Sequence, residues 1–251
     1  MSAIRKAILL AGGRGKRLGA FTAHTPKPML EVAGAPIIAH LLEALAQAGI
    51  ERAIVVTGYL GEQIEEFCRR FERERGELAI TTVRQPVLDG TGGAMLAAAA
   101  CIEAEESFVF GWGDVLMDHE FYRRFIMQAS TLDYDLLLAV NRVKDPYAGA
   151  AVYVDAEMRV ERLVEKPPPG ASTTNWNNAG LFASNAAFIE YVRRLKPSPR
   201  GELELPAAIS AMIEDCRIVR AAELRGFWSD VGTPEDLAAA RKLFKPSTDP
   251  R

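Results

Sequence analysis

Over the first 140 residues, apolar runs of strand length alternate with segments of helical period, and this alternation narrows the choice of folds more than any other feature. Arg5–Leu10 (RKAILL) reads as a buried strand, as do Ala53–Thr57, Leu78–Arg84, Ser107–Phe110 and Asp135–Val143. Helical stretches lie between them. One opens at Pro36, carries Ile37, Ile38, Leu41, Leu42 and Leu45 on one face, and stops at Gly49. Others are predicted over Gly61–Arg75, Thr91–Ile102 and Phe121–Ala129. The many charges of Gly61–Arg75 form a solvated face opposite Ile64, Phe67 and Phe71. Such alternation builds an α/β fold with a mostly parallel sheet covered by helices on both faces.

The second half changes character. Short strands are predicted at Ala150–Val154, Val160–Val164 and Gly180–Ala183, separated by a Pro-rich loop (Pro167–Gly170) and a polar one (Ser172–Asn178). Helices return over Ala186–Leu195 and Leu205–Asp215, then a strand at Arg217–Ala221 and a last helix from Thr233 to Phe244. Thr233-Pro234-Glu235-Asp236 reads as that helix's cap. With no repeat and no long linker, one continuous domain is expected, with a second lobe leaning on the sheet's C-terminal edge.

Directly after the first strand stands Leu10-Ala11-Gly12-Gly13-Arg14-Gly15-Lys16-Arg17-Leu18. Glycines let backbone N–H groups approach phosphate oxygens, and Arg17 or Lys16 can add charge-assisted hydrogen bonds. Two familiar loops fail by spelling. A Walker loop needs Ser or Thr after Gly-Lys, where Arg17 stands, and a dinucleotide fingerprint needs a small residue where Leu18 stands. Taken alone, the segment reads equally well as an ordinary glycine turn. Lys27 is fixed between Pro26 and Pro28, which restricts its backbone and holds the ammonium group in place. A solvated loop lysine is the simpler reading of that tripeptide in isolation, and of Glu165-Lys166-Pro167 as well.

Charge excludes one class of partner. The chain has 251 residues, with 30 Lys+Arg against 33 Asp+Glu and a net charge of −3, too balanced for a dedicated nucleic-acid binder. A hydrophobic share of 49% excludes long disorder, and a chain of this size buries roughly 70–75% of its unfolded surface. Cys68, Cys101 and Cys216 form no CxxC pair and are expected to pack as small apolar residues. His24, His40 and His119 lack metal-ligand spacing. The amino-terminal apolar run is too short for a signal peptide, and no run approaches the roughly 20 residues of a membrane span. A soluble cytoplasmic protein is expected.

Six segments in order resemble the sugar-1-phosphate nucleotidylyltransferases, also called nucleotide-sugar pyrophosphorylases. They are Ala11–Leu18, Pro26-Lys27-Pro28-Met29, Gly90-Thr91-Gly92-Gly93-Ala94, Gly113-Asp114, Glu165-Lys166-Pro167 and Trp228-Ser229-Asp230-Val231-Gly232-Thr233. The resemblance implies the Rossmann-like nucleotide-diphospho-sugar transferase fold, a mixed, mostly parallel sheet with helices on both faces. It further implies a single catalytic domain over 1–251, with a nucleotide part at about 1–115, a sugar-phosphate part at about 116–230 and a C-terminal helix at 234–244. Longer members add a left-handed β-helix after this domain, and none is expected here.

The implied reaction is attack by a sugar 1-phosphate oxygen on the α-phosphorus of a nucleoside triphosphate, in line with departing pyrophosphate. The resemblance casts Arg17 as the grip on pyrophosphate, Lys27 at the α-phosphate or the attacking phosphate, and Lys166 at the sugar phosphate. Asp114 and Asp230 are the implied Mg²⁺ ligands; both follow strand ends, where ligands collect in open α/β sheets. Leu10, Ala11, Gly12, Gly13, Gly15, Arg17, Gln85, Gly90 and Thr91 fall at nucleotide-binding positions, and Gly149, Glu165, Lys166, Asn178 and Glu204 at sugar-phosphate ones. Gln85 and Gly90 match members that use uracil or thymine. Gly90–Ala94 is also similar to mannose- and heptose-type guanylyltransferases and glucose-type cytidylyltransferases. Three departures stand out: Val115 where several members have Asn, a one-residue offset at Gly149, and Pro206 where Thr is common. A nucleoside triphosphate and a sugar 1-phosphate are thus the expected partners, with no nucleic acid and no membrane, and a homo-oligomer left open. The competing class is a non-catalytic nucleotide-sugar sensor; such members usually lose a metal carboxylate or a phosphate cation, and all five charged positions are present here.

Overall fold

A continuous apolar run must be buried on both sides, and β1 (Lys6–Leu10) is: Ala7 and Leu9 enter one core, Ile8 and Leu10 the other. The computed structural model describes residues 3–104 and 106–246, and places β1 inside a nine-stranded sheet. Met1 and Ser2, where the amino-terminal reading begins, lie outside the described residues.

After β1 come a short ribbon of β2 (Glu31–Val32) and β3 (Ala35–Pro36), then α1 (Ile37–Gln47), β4 (Arg52–Thr57) and α2 (Gly61–Arg75). β5 (Ala79–Arg84), α3 (Thr91–Ala98) and β6 (Ser107–Trp112) complete the first half. The second holds β7 (Leu116–Met117), α4 (His119–Ala129), β8 (Leu136–Arg142), β9 (Ala150–Val154), β10 (Val160–Glu165) and β11 (Trp176–Asn185). It ends with α5 (Ala187–Arg193), α6 (Leu205–Glu214), β12 (Val219–Glu223), β13 (Trp228–Ser229) and α7 (Pro234–Leu243).

The sheet runs β5-β4-β1-β6-β11 and then forks, with β9-β10 on one branch and β8-β12 on the other. Followed through the pairings, only β10 and β11 oppose the common strand direction, so the sheet is mixed and mostly parallel. Apolar faces of α1, α2, α4 and α7 cover one side, and those of α3, α5 and α6 the other. Phe110 stacks between Phe182 and Phe188 at 4.7 and 5.1 Å on the second side, tying β6, β11 and α5 together.

The helix α7 starts as its sequence predicts. Thr233 accepts a hydrogen bond from the Asp236 N–H, and the Asp236 carboxylate accepts one from the Thr233 N–H. Thr233→Ala should lower stability by about 1 kcal/mol in urea unfolding, with an unchanged slope.

Four expectations need correction. The polar stretch Ser172–Asn178 is a loop only at its start; Trp176–Asn178 belongs to β11, because Asn177 and Asn178 are buried and Asn177 Nδ2 donates to Asn141 Oδ1 across the strands at 2.9 Å. The helix predicted over Thr91–Ile102 ends at Ala98 and tightens into a 3₁₀ turn over Ala99–Cys101. The strand predicted over Ser107–Phe110 extends to Trp112, which puts an indole at the sheet's C-terminal edge. Cys216 is exposed at φ +58° in the turn after α6, unlike the buried Cys68.

Candidate active site

The glycine loop lies across the C-terminal ends of β1 and β4. Ala11 N–H donates to Val56 O at 2.8 Å and Gly113 N–H to Leu10 O at 2.9 Å. Among the described residues, the N–H groups of Gly12, Gly13, Arg14 and Gly15 have no protein acceptor, so four donors are left for an anion. Gly15 is required by shape: its φ is +60°, and a Cβ there would press on Thr22 and Lys27 at 3.2 and 3.3 Å.

Lys27 is the hub. Its side chain is almost wholly buried, its ammonium lies 2.8 Å from Asp114 Oδ2, and it donates to the main-chain carbonyl of Asp230. Arg17, largely exposed, reaches the Asp230 carboxylate at 3.7 Å. A two-stranded ribbon explains how residues so distant in sequence meet. Asp114 just precedes β7 and Asp230 follows β13; these strands pair antiparallel with Ser229 opposite Leu116. The buried Val231, a β-branched residue at φ +42°, holds the turn after Asp230 in a strained conformation.

The Asp114 carboxylate beside Lys27 and the Asp230 carboxylate beside Arg17 are hard oxygen donors. Among the described residues no group of three or more His, Cys, Asp or Glu forms a metal cage. A pair of carboxylates is a donor set that a hard divalent cation can take, its shell completed by water and phosphate oxygens.

The opposite wall is built on β9, β10 and the approach to α6. Lys166 sits at φ +44°, and its N–H donates to Gly149 O at 2.8 Å. Gly149 has no room for a side chain, since a Cβ would lie 2.3 Å from Asn177 Oδ1. Burial is the main force pushing the Glu165 carboxyl above its usual range; Lys166 opposes it and Glu204 reinforces it.

These walls enclose a cleft of about 990 Å³ that brings together every sequence-predicted site residue except Ala11. Ala11 is buried behind the loop, where a Cβ on Gly113 would meet its own at 2.8 Å. Two other residues have prior engagements. Thr91 Oγ1 accepts from Leu205 N–H at 3.0 Å, and Glu204 Oε1 accepts from Arg200 Nη2 at 2.7 Å and Ser198 Oγ at 2.7 Å. Glycines 90 and 92 answer to packing, because a Cβ at either would strike Leu203 O at 2.6 or 3.0 Å. Sequence reasoning missed Arg200, Trp112, Tyr147 and Asp145, all on the cleft wall. Arg200 was legible only as one of 30 scattered cations.

Residues 6–245 match the family described as nucleotidyl transferase. The chain belongs to this family. It is 32% identical over 245 residues to the bifunctional protein GlmU of Methanocaldococcus jannaschii, covering 97% of this chain and 55% of that protein. It is 31% identical to mannose-1-phosphate guanylyltransferase catalytic subunit beta of Danio rerio, covering 95% and 64%. The chain thus spans about half the length of the first curated relative, and under two thirds of the second. A crystal structure of UDP-glucose pyrophosphorylase complexed with UDP-glucose superposes with a TM-score of 0.85 at 22% identity, covering 95% of this chain and 97% of the other. That likeness is one of fold. Among the described residues of this nucleotidyl transferase, no helix is long and apolar enough to cross a membrane.

Proposed function

We propose that this nucleotidyl transferase moves a nucleoside monophosphate from a nucleoside triphosphate to a sugar 1-phosphate, releasing pyrophosphate, with Mg²⁺ held by Asp114 and Asp230. The observation that carries this reading is the Lys27 ammonium clasped between the Asp114 carboxylate and the Asp230 carbonyl, where the glycine loop faces the Lys166 wall. An oxygen of the sugar phosphate forms a bond to the α-phosphorus while the α–β bridging bond breaks, its electron pair leaving with pyrophosphate. The attacking oxygen is already ionised, so no general base is required. Residues 12–15 and Arg17 hold the triphosphate, Lys27 faces the reacting phosphates, and Lys166 holds the acceptor phosphate. Mg²⁺, when bound, neutralises charge on the phosphate oxygens. The nucleotide part is about 1–115 and the sugar-phosphate part about 116–230.

For the base, the orientation of the Gln85 amide is informative. Its Nε2 donates to Asp89 Oδ1 at 2.9 Å, and a carboxylate can only accept, so the Gln85 oxygen is fixed toward Gly12. An acceptor there suits a ring N–H, as in uracil and thymine and also guanine, better than the N3 acceptor of cytosine. Gly90 O accepts from the same Nε2 at 3.1 Å and holds the amide the same way round. Gln85→Leu, which removes the acceptor, should narrow the preference for UTP or TTP over CTP about tenfold in kcat/KM.

The reaction itself is tested by mixing the protein with each of the five common nucleoside triphosphates and a panel of sugar 1-phosphates, with and without MgCl₂, and measuring pyrophosphate. Release in at least one Mg²⁺-dependent pair is expected. No release in any pair overturns the proposal.

A further inference from the structure

Trp112 ends β6 at the seam between the two walls, half-buried and lining the cleft. Its indole lies on β11 where that strand bulges between Asn178 and Phe182, and edge-on to Phe182 at 5.2 Å. Gly180 is at φ +83° in the bulge, and a Cβ on it would fall 2.3 Å from Trp112 Cδ1, so the ring occupies the space a side chain would need. Two further side chains grip the same backbone: Asn178 Oδ1 accepts from Gly180 N–H at 3.0 Å, and Trp228 Nε1 donates to Ala179 O at 2.9 Å. Asn178 Nδ2 and Trp112 Nε1 are left without a protein acceptor among the described residues, yet neither is sealed from the cleft.

We infer that Trp112 selects the acceptor, its indole forming a flat apolar floor under the sugar ring and its N–H, beside Asn178 Nδ2, donating to a sugar oxygen. This rests on the proposed reading of the cleft as a sugar 1-phosphate site. An indole has an apolar body and one polar edge, which suits a pyranose with C–H groups on its face and oxygens at its rim. Gly180 is the positioning residue that lets the ring lie flat.

The test uses glucose, mannose, glucosamine and N-acetylglucosamine 1-phosphates with the best nucleoside triphosphate. Trp112→Leu should raise the KM of the preferred sugar 1-phosphate about tenfold and Trp112→Phe about threefold, with the nucleotide KM within about twofold of wild type. Gly180→Ala should act in the same direction, and less so when Trp112 is already Leu. An unchanged sugar KM, or an equal rise for the nucleotide, overturns the assignment. Indole fluorescence separates the two readings if the wild type turns nothing over. Saturable quenching by a sugar 1-phosphate, lost in Trp112→Phe, supports the floor while nucleotidyl transfer fails; no quenching overturns both.

Discussion

Asp114→Asn should lower kcat by about a thousandfold or more while the protein remains folded. Asp114 is about a third exposed, so its carboxylate oxygens are open to a ligand. The amide keeps an oxygen for the Lys27 ammonium but removes the negative charge a hard cation needs. Pyrophosphate release at saturating substrates gives kcat, and far-ultraviolet circular dichroism checks the fold. The residual rate should respond to MgCl₂ at higher concentrations than the wild type requires. A variant with wild-type kcat and Mg²⁺ dependence would remove Asp114 from the metal role, and the proposed chemistry would have to be built elsewhere.

The sequence made the sheet legible because apolar burial has a period. Ile8, Val55 and Phe110 stand in runs that only a two-sided sheet can cover, and Thr233 with Asp236 spells a cap that forms as written. It was less informative where tertiary pairing overrides local spelling. Asn177 and Asn178 look like loop residues, yet Asn177 Nδ2 donates to Asn141 on β8 and Asn178 Oδ1 accepts from Gly180 N–H in the bulge, which no local window reveals. The candidate site shows the same division. Arg17, Lys27, Asp114, Lys166 and Asp230 carry their signals in short segments, whereas Trp112 and Arg200 earn their places through contacts to Gly180 and Glu204. Glycines were ambiguous for a related reason. Gly15 bounds a cradle of free N–H groups, but Gly90 and Gly92 exist to let α3 dock on Leu203. Spelling alone cannot separate a glycine that makes room for a phosphate from one that makes room for a backbone.

Lys27→Met should abolish turnover to a similar degree, about a thousandfold in kcat/KM, with little loss of stability. Methionine fills nearly the same volume without charge, so the slot beside Asp114 and Asp230 stays packed while its cation is lost. The charge left behind, on Asp114, can rehydrate because that side chain is 33% exposed, whereas the lysine side chain is only 8% exposed. Removing the buried partner of this pair therefore costs little, and Tm should fall by no more than a few degrees. Asp114→Ala is the contrasting case. Among the described residues it leaves the buried ammonium only the Asp230 carbonyl as a hydrogen-bond acceptor, and should cost about 1–3 kcal/mol. The double variant should recover most of that loss, because neither charge is then stranded. Urea unfolding of the four proteins measures the coupling. If Lys27→Met proves the less stable single variant, the ammonium is a structural keystone, and its loss of activity would say nothing about phosphate binding.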